Sequence, residues 1–313
     1  MHLRLISPAD LTDEVVAYLV DDAGVANIVV HRGAAIDPAG DVVIGDVARE
    51  SANDLLRALK NFGLDKSGSI ALDAVSVAIS SRGKQAEAAA PGAGDDAVVW
   101  DEIEQRTGDE SRLTLTFLLF LSIATIIAGI GVLLDQPILI VGAMVVGPEF
   151  GPLAALCVGV IRRRPRVIGR SLLALAVGFA VAILVTVVST LALSAAGLVD
   201  REMLLAPRPL TDFIWRPDAL SWVIASLAGV AGILSLTSAK SGALIGVLIS
   251  VTTVPAAGNV AVAIAFGVAD EAWGSALQLA INLAAIATAG ILTLAAQRYL
   301  RRRPKSATAT MSP

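Results

Sequence analysis

Histidine and cysteine are nearly absent from this chain. Of its 313 residues two are histidine, His2 and His31, and one is cysteine, Cys157. A single cysteine excludes a disulfide within the chain and any cysteine metal cluster. Both histidines precede the apolar part of the sequence, so no histidine dyad can operate inside a membrane there. Charge is scarce as well. Charged residues make up 17% of the chain, against about 25% in an ordinary soluble domain. The net charge of −4 is small, and no basic face interleaved with aromatics occurs, so nucleic acid is not an expected partner. A glycine-rich phosphate loop is missing. So are paired carboxylates, metal-ligand spacings and nucleophile–base pairs in the apolar part. Neither an enzyme nor a cofactor is expected.

Apolar residues are abundant, at 55%, and they concentrate after residue 112. About 20 apolar residues in a helix cross the hydrocarbon of a bilayer. Six stretches meet that length: Leu113–Leu134, Pro137–Ile161, Val167–Ala196, Ala219–Leu236, Gly242–Val268 and Gly274–Gln297. The expected architecture is an α-helical membrane bundle of about six transmembrane helices, over residues 113–299, in contact with the lipid bilayer. Met1–Glu14 carries Asp10, Asp13 and Glu14 and no apolar run, so no signal peptide is expected. Arginines cluster after the second stretch (Arg162, Arg163, Arg164, Arg166, Arg170) and after the sixth (Arg298, Arg301, Arg302, Arg303), and Lys240 follows the fourth. The loop after the third, with Arg201, Arg208 and Arg216, dissents mildly. Positive charge stays in the cytoplasm. The expectation is a multi-pass protein of the inner (plasma) membrane with both termini cytoplasmic and a basic tail over 300–313.

The front end, residues 1–80, reads as a small α+β domain. Strands are predicted over His2–Ile6, Val25–His31, Asp41–Val47 and Ser69–Ser80, the last using Ile70, Leu72, Val75, Val77 and Ile79. Helices are predicted over Asp10–Asp21, capped by Asp10, and over Arg49–Phe62. The order βαββαβ is that of a ferredoxin-like domain. Residues 81–112 read as a linker, mobile over Ser81–Gly94, followed by a short amphipathic helix over Asp95–Arg106 whose acidic face favours packing on protein over anionic lipid.

The most informative run is Gly147-Pro148-Glu149-Phe150-Gly151-Pro152, inside the second apolar stretch. Two prolines and two glycines predict a broken helix around a carboxylate at membrane depth. Three spans, a loop and three more admit a 3+3 inverted repeat, the plan of many secondary transporters with interrupted helices. The matching stretch of the second half carries Thr252, Thr253, Pro255 and Asn259, and it predicts a second break. Gln278 and Asn282, four apart on the last span, share a face and are expected to line the same cavity. The candidate binding set is therefore Gly147, Pro148, Glu149, Gly151, Pro152, Thr252, Thr253, Pro255, Asn259, Gln278 and Asn282. Freed carbonyls there suit a cation, and freed amides an anion.

Two readings follow. One is a secondary transporter or channel-like carrier of a small solute or ion. The other is a membrane-anchored sensor or scaffold whose front domain binds a ligand or partner. Both leave a homo-oligomer open.

The run Ala128-Gly129-Ile130-Gly131-Val132-Leu133-Leu134-Asp135-Gln136-Pro137, leading into Val141–Pro148 and Gly151-Pro152-Leu153, resembles the DUF389 family of prokaryotic integral membrane proteins. That family's pattern is an aspartate turn, a Gly-Ala-Met motif and two proline-containing steps. Gly142, Ala143, Met144, Pro148, Gly151 and Pro152 stand at matching places. Ser241–Gly258 is similar too, with Pro255-Ala256 where the family commonly has two prolines. Glu149 departs from a mainly apolar position. The resemblance covers roughly 98–268 and implies a membrane domain, without a substrate or reaction.

Overall fold

A computed structural model of the chain describes residues 1–75, 79–90, 99–216, 218–237 and 245–301, without the side chains of 106, 109, 110, 245–252, 300 and 301. Two compact units divide the chain, one built from Met1–Ile103 and the other mainly from Glu104–Leu236 and the segment from Ile245 onward. Each is taken by itself.

The first unit contains β1 (His2–Ser7), α1 (Thr12–Asp21), β2 (Val25–Ile36), β3 (Ala39–Val47), α2 (Ala52–Asn61), a single turn α3 (Leu64–Ser67), β4 (Ser69–Asp73) and α4 (Ser81–Ala89). The four strands form one antiparallel sheet in the order β2-β3-β1-β4. Leu3 lies opposite Gly45 and Leu72, and Leu5 opposite Val43 and Ile70. Side chains alternate across a strand, so Leu3, Leu5, Val43 and Val47 share one face. They pack with Val15 and Leu19 of α1 and Leu55 and Leu59 of α2.

Several local expectations are corrected. Asp10 does not cap α1. The helix starts at Thr12 behind Leu11, without a side-chain cap, and the Thr12 hydroxyl donates to the Pro8 carbonyl at 3.0 Å. The last strand ends at Asp73, and Ile79 is 95% exposed, so it is not a core position. Val77 lies outside the described residues. Part of the expected linker is the helix α4. Ser80 accepts a bond from the Gly83 amide at 3.1 Å, and the alanines after it are the strongest helix formers. Residues 91–98 lie outside the described residues. The amphipathic helix begins later than predicted, as α5 (Trp100–Glu110), with Val99 and Ile103 buried. Its Asp101 pairs with Lys60 and its Glu102 with Arg49.

Asp41 is the buried acid of this unit. Its carboxylate accepts the Gly33 amide at 2.7 Å and an Arg32 guanidinium N–H at 3.0 Å. The Gly33 amide holds its carboxyl below the usual range, with Arg32 adding to it. A lowered folded-state pKa stabilises above the ordinary carboxylate range and is lost as pH falls through the lowered value. Amide hydrogen exchange of the β2–β3 hairpin in the full-length protein is therefore expected to accelerate, relative to intrinsic rates, as pH drops below that range. Asp41→Asn is expected to show weaker protection at neutral pH and no further acid-dependent loss.

The second unit is helical. It contains α6 (Leu115–Leu133), α7 (Pro137–Val146), α8 (Phe150–Arg162), α9 (Pro165–Ala195), the short α10 (Arg201–Leu205), a 3-10 turn at Asp212–Ile214, α11 (Ala219–Thr237), α12 (Ile245–Ala265) and α13 (Ala269–Arg301). Thr114 caps α6 by accepting the Phe117 amide at 3.1 Å. Four of these helices, α6, α9, α11 and α13, are long and apolar enough to cross a membrane, and the bent pair α7–α8 makes a fifth by length and composition. The sixth expected stretch corresponds to α12, which has 21 residues but whose first eight side chains are outside the description. Leu172, Leu184, Trp222, Leu227 and Leu292 point outward, while Glu149, Asn259, Gln278 and Asn282 are buried. An apolar exterior over a partly polar interior is the arrangement of a membrane protein.

Candidate functional site at a broken membrane helix

Gly147 and Pro148 set the break in the second apolar stretch. The ring of a proline pushes the preceding residue out of helical backbone. Gly147 accordingly has φ −63° and ψ 123°, and α7 stops at Val146. The chain resumes as α8 at Phe150, turned by 55°. Pro152 does not extend the break. It sits in the first turn of α8, where a missing N–H leaves no partner wanting. Gly151 and Pro152 are both buried in that turn.

Glu149 occupies the step between the two helices. It is 0% exposed. Its Oε1 accepts the Thr253 hydroxyl of α12 at 2.7 Å. A carboxyl removed from water costs several kcal/mol, on the order of a buried ion, unless it is hydrogen-bonded or takes up a proton. The break and the acid thus meet in one place, as the sequence pattern predicted, and Thr253 joins them.

The second break does not exist. α12 runs unbroken from Ile245 to Ala265 with Pro255 inside it. Proline is tolerated within a membrane helix when surrounding helices satisfy the backbone groups it frees. Val254, Ala256, Ala257, Val260 and Ala261 are all buried, so α12 is enclosed on every side around Pro255. The middle helices of the two halves are therefore unlike, and the paired interruption that suggested an inverted repeat is absent. The side chain of Thr252 lies outside the described residues, as does Lys240.

Asn259 is drawn to α13 rather than to Glu149. Its amide donates to Ser275 Oγ at 2.7 Å and to Glu271 Oε1 at 3.0 Å. Glu271 also pairs with Arg208, which reaches Asn259 Oδ1 at 3.5 Å from its other terminal nitrogen. The side chains of Arg208 and Glu271 are only 5% and 6% exposed. The loop carrying Arg208 is held by Asp135, which accepts the Leu210 amide at 3.2 Å and the Thr211 hydroxyl at 2.9 Å. Asp135 is thus a cap for this loop and not for α7. One helical turn beyond Ser275, Gln278 Nε2 donates to Asn282 Oδ1 at 3.3 Å. Glu271, Ser275, Gln278 and Asn282 form one row along α13, at i, i+4, i+7 and i+11, and all four are buried.

Residues 144–288 match the model of a family described as Domain of unknown function, DUF389. That matched stretch, a little under half of the chain, is similar to the DUF389 domain. Glu149, Thr253, Arg208 and the whole α13 row fall within it. The match starts later and ends later than the resemblance read from the sequence, leaving α6 and most of α7 before it. An uncharacterized protein of Methanocaldococcus jannaschii is 26% identical over 199 residues, 64% of this chain and 59% of that protein. The chain thus spans about three fifths of that relative's length. No solved structure matches.

The Arg208–Glu271 pair is the feature of the DUF389-like stretch that sequence reasoning missed. Each residue reads as a loop charge, and 63 positions separate them. The signal that could have found it is the polar periodicity of α13, which continues from Gln278 back to Glu271 with no apolar residue on that face.

Proposed function

We propose that the DUF389-like stretch is the core of a secondary transporter or channel-like carrier that moves a small solute or ion across the inner membrane. On this reading α7–α8 is one bent span, α12 completes a count of six, and both termini are cytoplasmic. No reaction is assigned, so the protein is not read as an enzyme. The β2-β3-β1-β4 order, with each neighbouring pair antiparallel, supports a ferredoxin-like front domain.

The observation that carries the proposal is Glu149. It is a fully buried acid at a helix break, hydrogen-bonded to a different helix. Intramembrane ionisable groups of this kind mark substrate or ion paths. Glu149→Gln keeps the size and an acceptor for Thr253 but cannot hold a charge. In proteoliposomes it is expected to lower flux by on the order of 100-fold, equivalent to about 3 kcal/mol of barrier, with thermal stability nearly unchanged. Flux equal to wild type in Glu149→Gln would remove the carrier reading.

A second reading, a ligand sensor, draws on one feature of the front unit. A cavity of about 200 Å³ is lined by Met1, Asp46, Val47, Ser80, Lys84 and Glu87. A ligand-induced rise in Tm that Lys84→Ala abolishes, in a protein without flux, would favour it.

A further inference from the structure

The α13 row has a direction. It begins at the buried Arg208–Glu271 pair, and eleven residues later it reaches Asn282, about 16 Å further along the helix axis. That is about half of a hydrocarbon core of roughly 30 Å. The pair stands at one end of the bundle. The other end carries the arginines after α8 and the Arg298 bond to the Ile161 carbonyl, at 2.9 Å.

Two registers bring the inner end of the row to Glu149. α8 runs parallel to α13, since Cys157 Sγ meets the Ala287 carbonyl at 3.5 Å and Arg298 meets Ile161 further on. Eight residues before Cys157 is Glu149, and eight before Ala287 is Leu279. α12 runs antiparallel to α13, with Asn259 bonded to Ser275. Six residues back from Asn259 is Thr253, and six forward from Ser275 is Ile281. Both counts set the Glu149–Thr253 bond at the level of Gln278 and Asn282.

The row has open hydrogen-bonding capacity. Gln278 is 4% exposed, and its Oε1 has no hydrogen-bond partner among the described residues. Exchanging the two amide atoms of Gln278 would set its oxygen against the Asn282 Oδ1 acceptor and lose that bond. Arg208 Nε is likewise buried without a hydrogen-bond partner among the described residues. Buried polar atoms of this kind are commonly satisfied by water.

We propose that the row is a proton path, in which water lined by Asn259, Ser275, Gln278 and Asn282 connects the aqueous face beside Arg208–Glu271 to the Glu149 carboxyl. The inference rests on the carrier reading and names its ion. Each transfer breaks one O–H bond and makes another. Water at the outer face supplies the proton, Glu149 alternates between carboxylate and acid, and nothing is oxidised. The amides order the water and do not themselves accept the proton.

The surroundings of Glu149 favour a proton over a metal ion. Among the described residues no group of three His, Cys, Asp or Glu could hold a metal. The polar side chains buried on α6 and α9 are hydroxyls, and α7 buries none. Among the described residues of α12 and α13 the buried polar groups are neutral until Glu271, which Arg208 balances. On α8 the nearest titratable group is Cys157, two turns away.

The test is hydrogen–deuterium exchange of the Glu149 carboxyl, followed by infrared spectroscopy on the full-length protein in liposomes with D2O as the probe. In a pH titration of wild type, a carboxyl carbonyl band that Glu149→Gln removes is expected. At a pH where that band is present, Gln278→Leu and Asn259→Leu are expected to slow its deuterium shift at least about tenfold, a barrier rise of about 1.4 kcal/mol. Ser275→Ala, which deletes one hydroxyl, is the milder variant and is expected to slow it in the same direction. Thr186→Val removes an equally buried hydroxyl beside Gly129 on the α6 side of α12, and it is expected to leave the shift unchanged. The proposal is overturned by the absence of any such band, or by a shift indifferent to all three row variants. Competition of the shift by Na+ or K+ would make this a cation site and overturn the proton assignment. Exchange through the row without any net flux sinks the carrier reading alone. Flux that needs Glu149 but ignores the row sinks this inference alone.

Discussion

Replacing Glu271 by alanine is expected to destabilise the helical unit by about 3–5 kcal/mol, the loss that follows when one partner of a buried ion pair is removed. The reason is the charge left behind. Arg208 is buried to nearly the same degree as Glu271, and its guanidinium stays protonated in any protein environment. In Glu271→Ala that cation keeps, among the described residues, only the Asn259 carbonyl oxygen, at 3.5 Å. The Asn259 amide also loses one of its two acceptors and retains Ser275. Arg208→Met leaves the opposite problem, an acid without its cation. It should be the milder of the two, because a carboxyl can take up a proton and arginine cannot lose one. Glu271→Gln should fall between wild type and Glu271→Ala, since an amide oxygen still accepts from Arg208. The informative variant is the double one. Arg208→Met with Glu271→Leu removes both charges together, and apolar replacement of a buried pair is often neutral or stabilising. Thermal unfolding in one detergent should therefore show a deep loss for Glu271→Ala and recovery of most of it in the double variant. Additive losses would mean that the two side chains do not act as a pair. If the double variant is stable but the row no longer exchanges with bulk water, the pair serves access to the interior and not stability.

The break at Gly147–Glu149 was legible because its cause is local. Pro148 constrains Gly147 through a clash between neighbours in the chain, and no packing partner relieves it. Pro255 carries the same local signal, yet α12 is continuous, because the outcome there depends on buried neighbours that a single sequence does not display. Two strands of the front unit were legible from alternation in His2–Ser7 and Ala39–Val47, where every second residue is buried. Alternation gave no warning at Ile79, which has a strand-forming side chain and no sheet to join. In α4 the alanines outweighed the glycine and serine content that suggested a linker. The candidate site was half legible. Glu149 with Thr253, and Gln278 with Asn282, came from residue type and spacing. The move of Asn259 to α13, and the whole Arg208–Glu271 pair, depend on contacts between separate helices.

Gly258→Ala is expected to destabilise the helical unit although alanine is the better helix former. Two effects oppose one another. Inside a helix, alanine in place of glycine gains about 0.5–1 kcal/mol. Against this stands the seam between α12 and α6. A Cβ on Gly258 would lie 2.8 Å from the Gly129 amide nitrogen, 2.9 Å from Ala128 Cβ and 3.0 Å from the Thr125 carbonyl oxygen. Two of these are backbone atoms, which cannot rotate away. Overpacking of this kind costs about 1–3 kcal/mol, and occasionally more, so the clash wins. Gly258→Leu should prevent α12 from seating at all. Gly129→Ala meets the same seam from the other side, but its nearest neighbour is a Val262 methyl at 3.0 Å, which can shift, so a smaller loss is expected. Gly142→Ala is the control. It lies in α7 with nothing within 4 Å of the added carbon, and there the intrinsic gain should appear unopposed. The expected order of Tm is Gly142→Ala at or above wild type, then Gly129→Ala, then Gly258→Ala. The consequence reaches the site, because Thr253 stands on α12 little more than one turn before Gly258. A backbone pushed off α6 carries the Thr253 hydroxyl with it, and a displacement of even 1 Å takes the 2.7 Å bond to Glu149 beyond hydrogen-bonding distance. Gly258→Ala should therefore impair flux beyond what its loss of Tm explains, whereas Gly129→Ala should not.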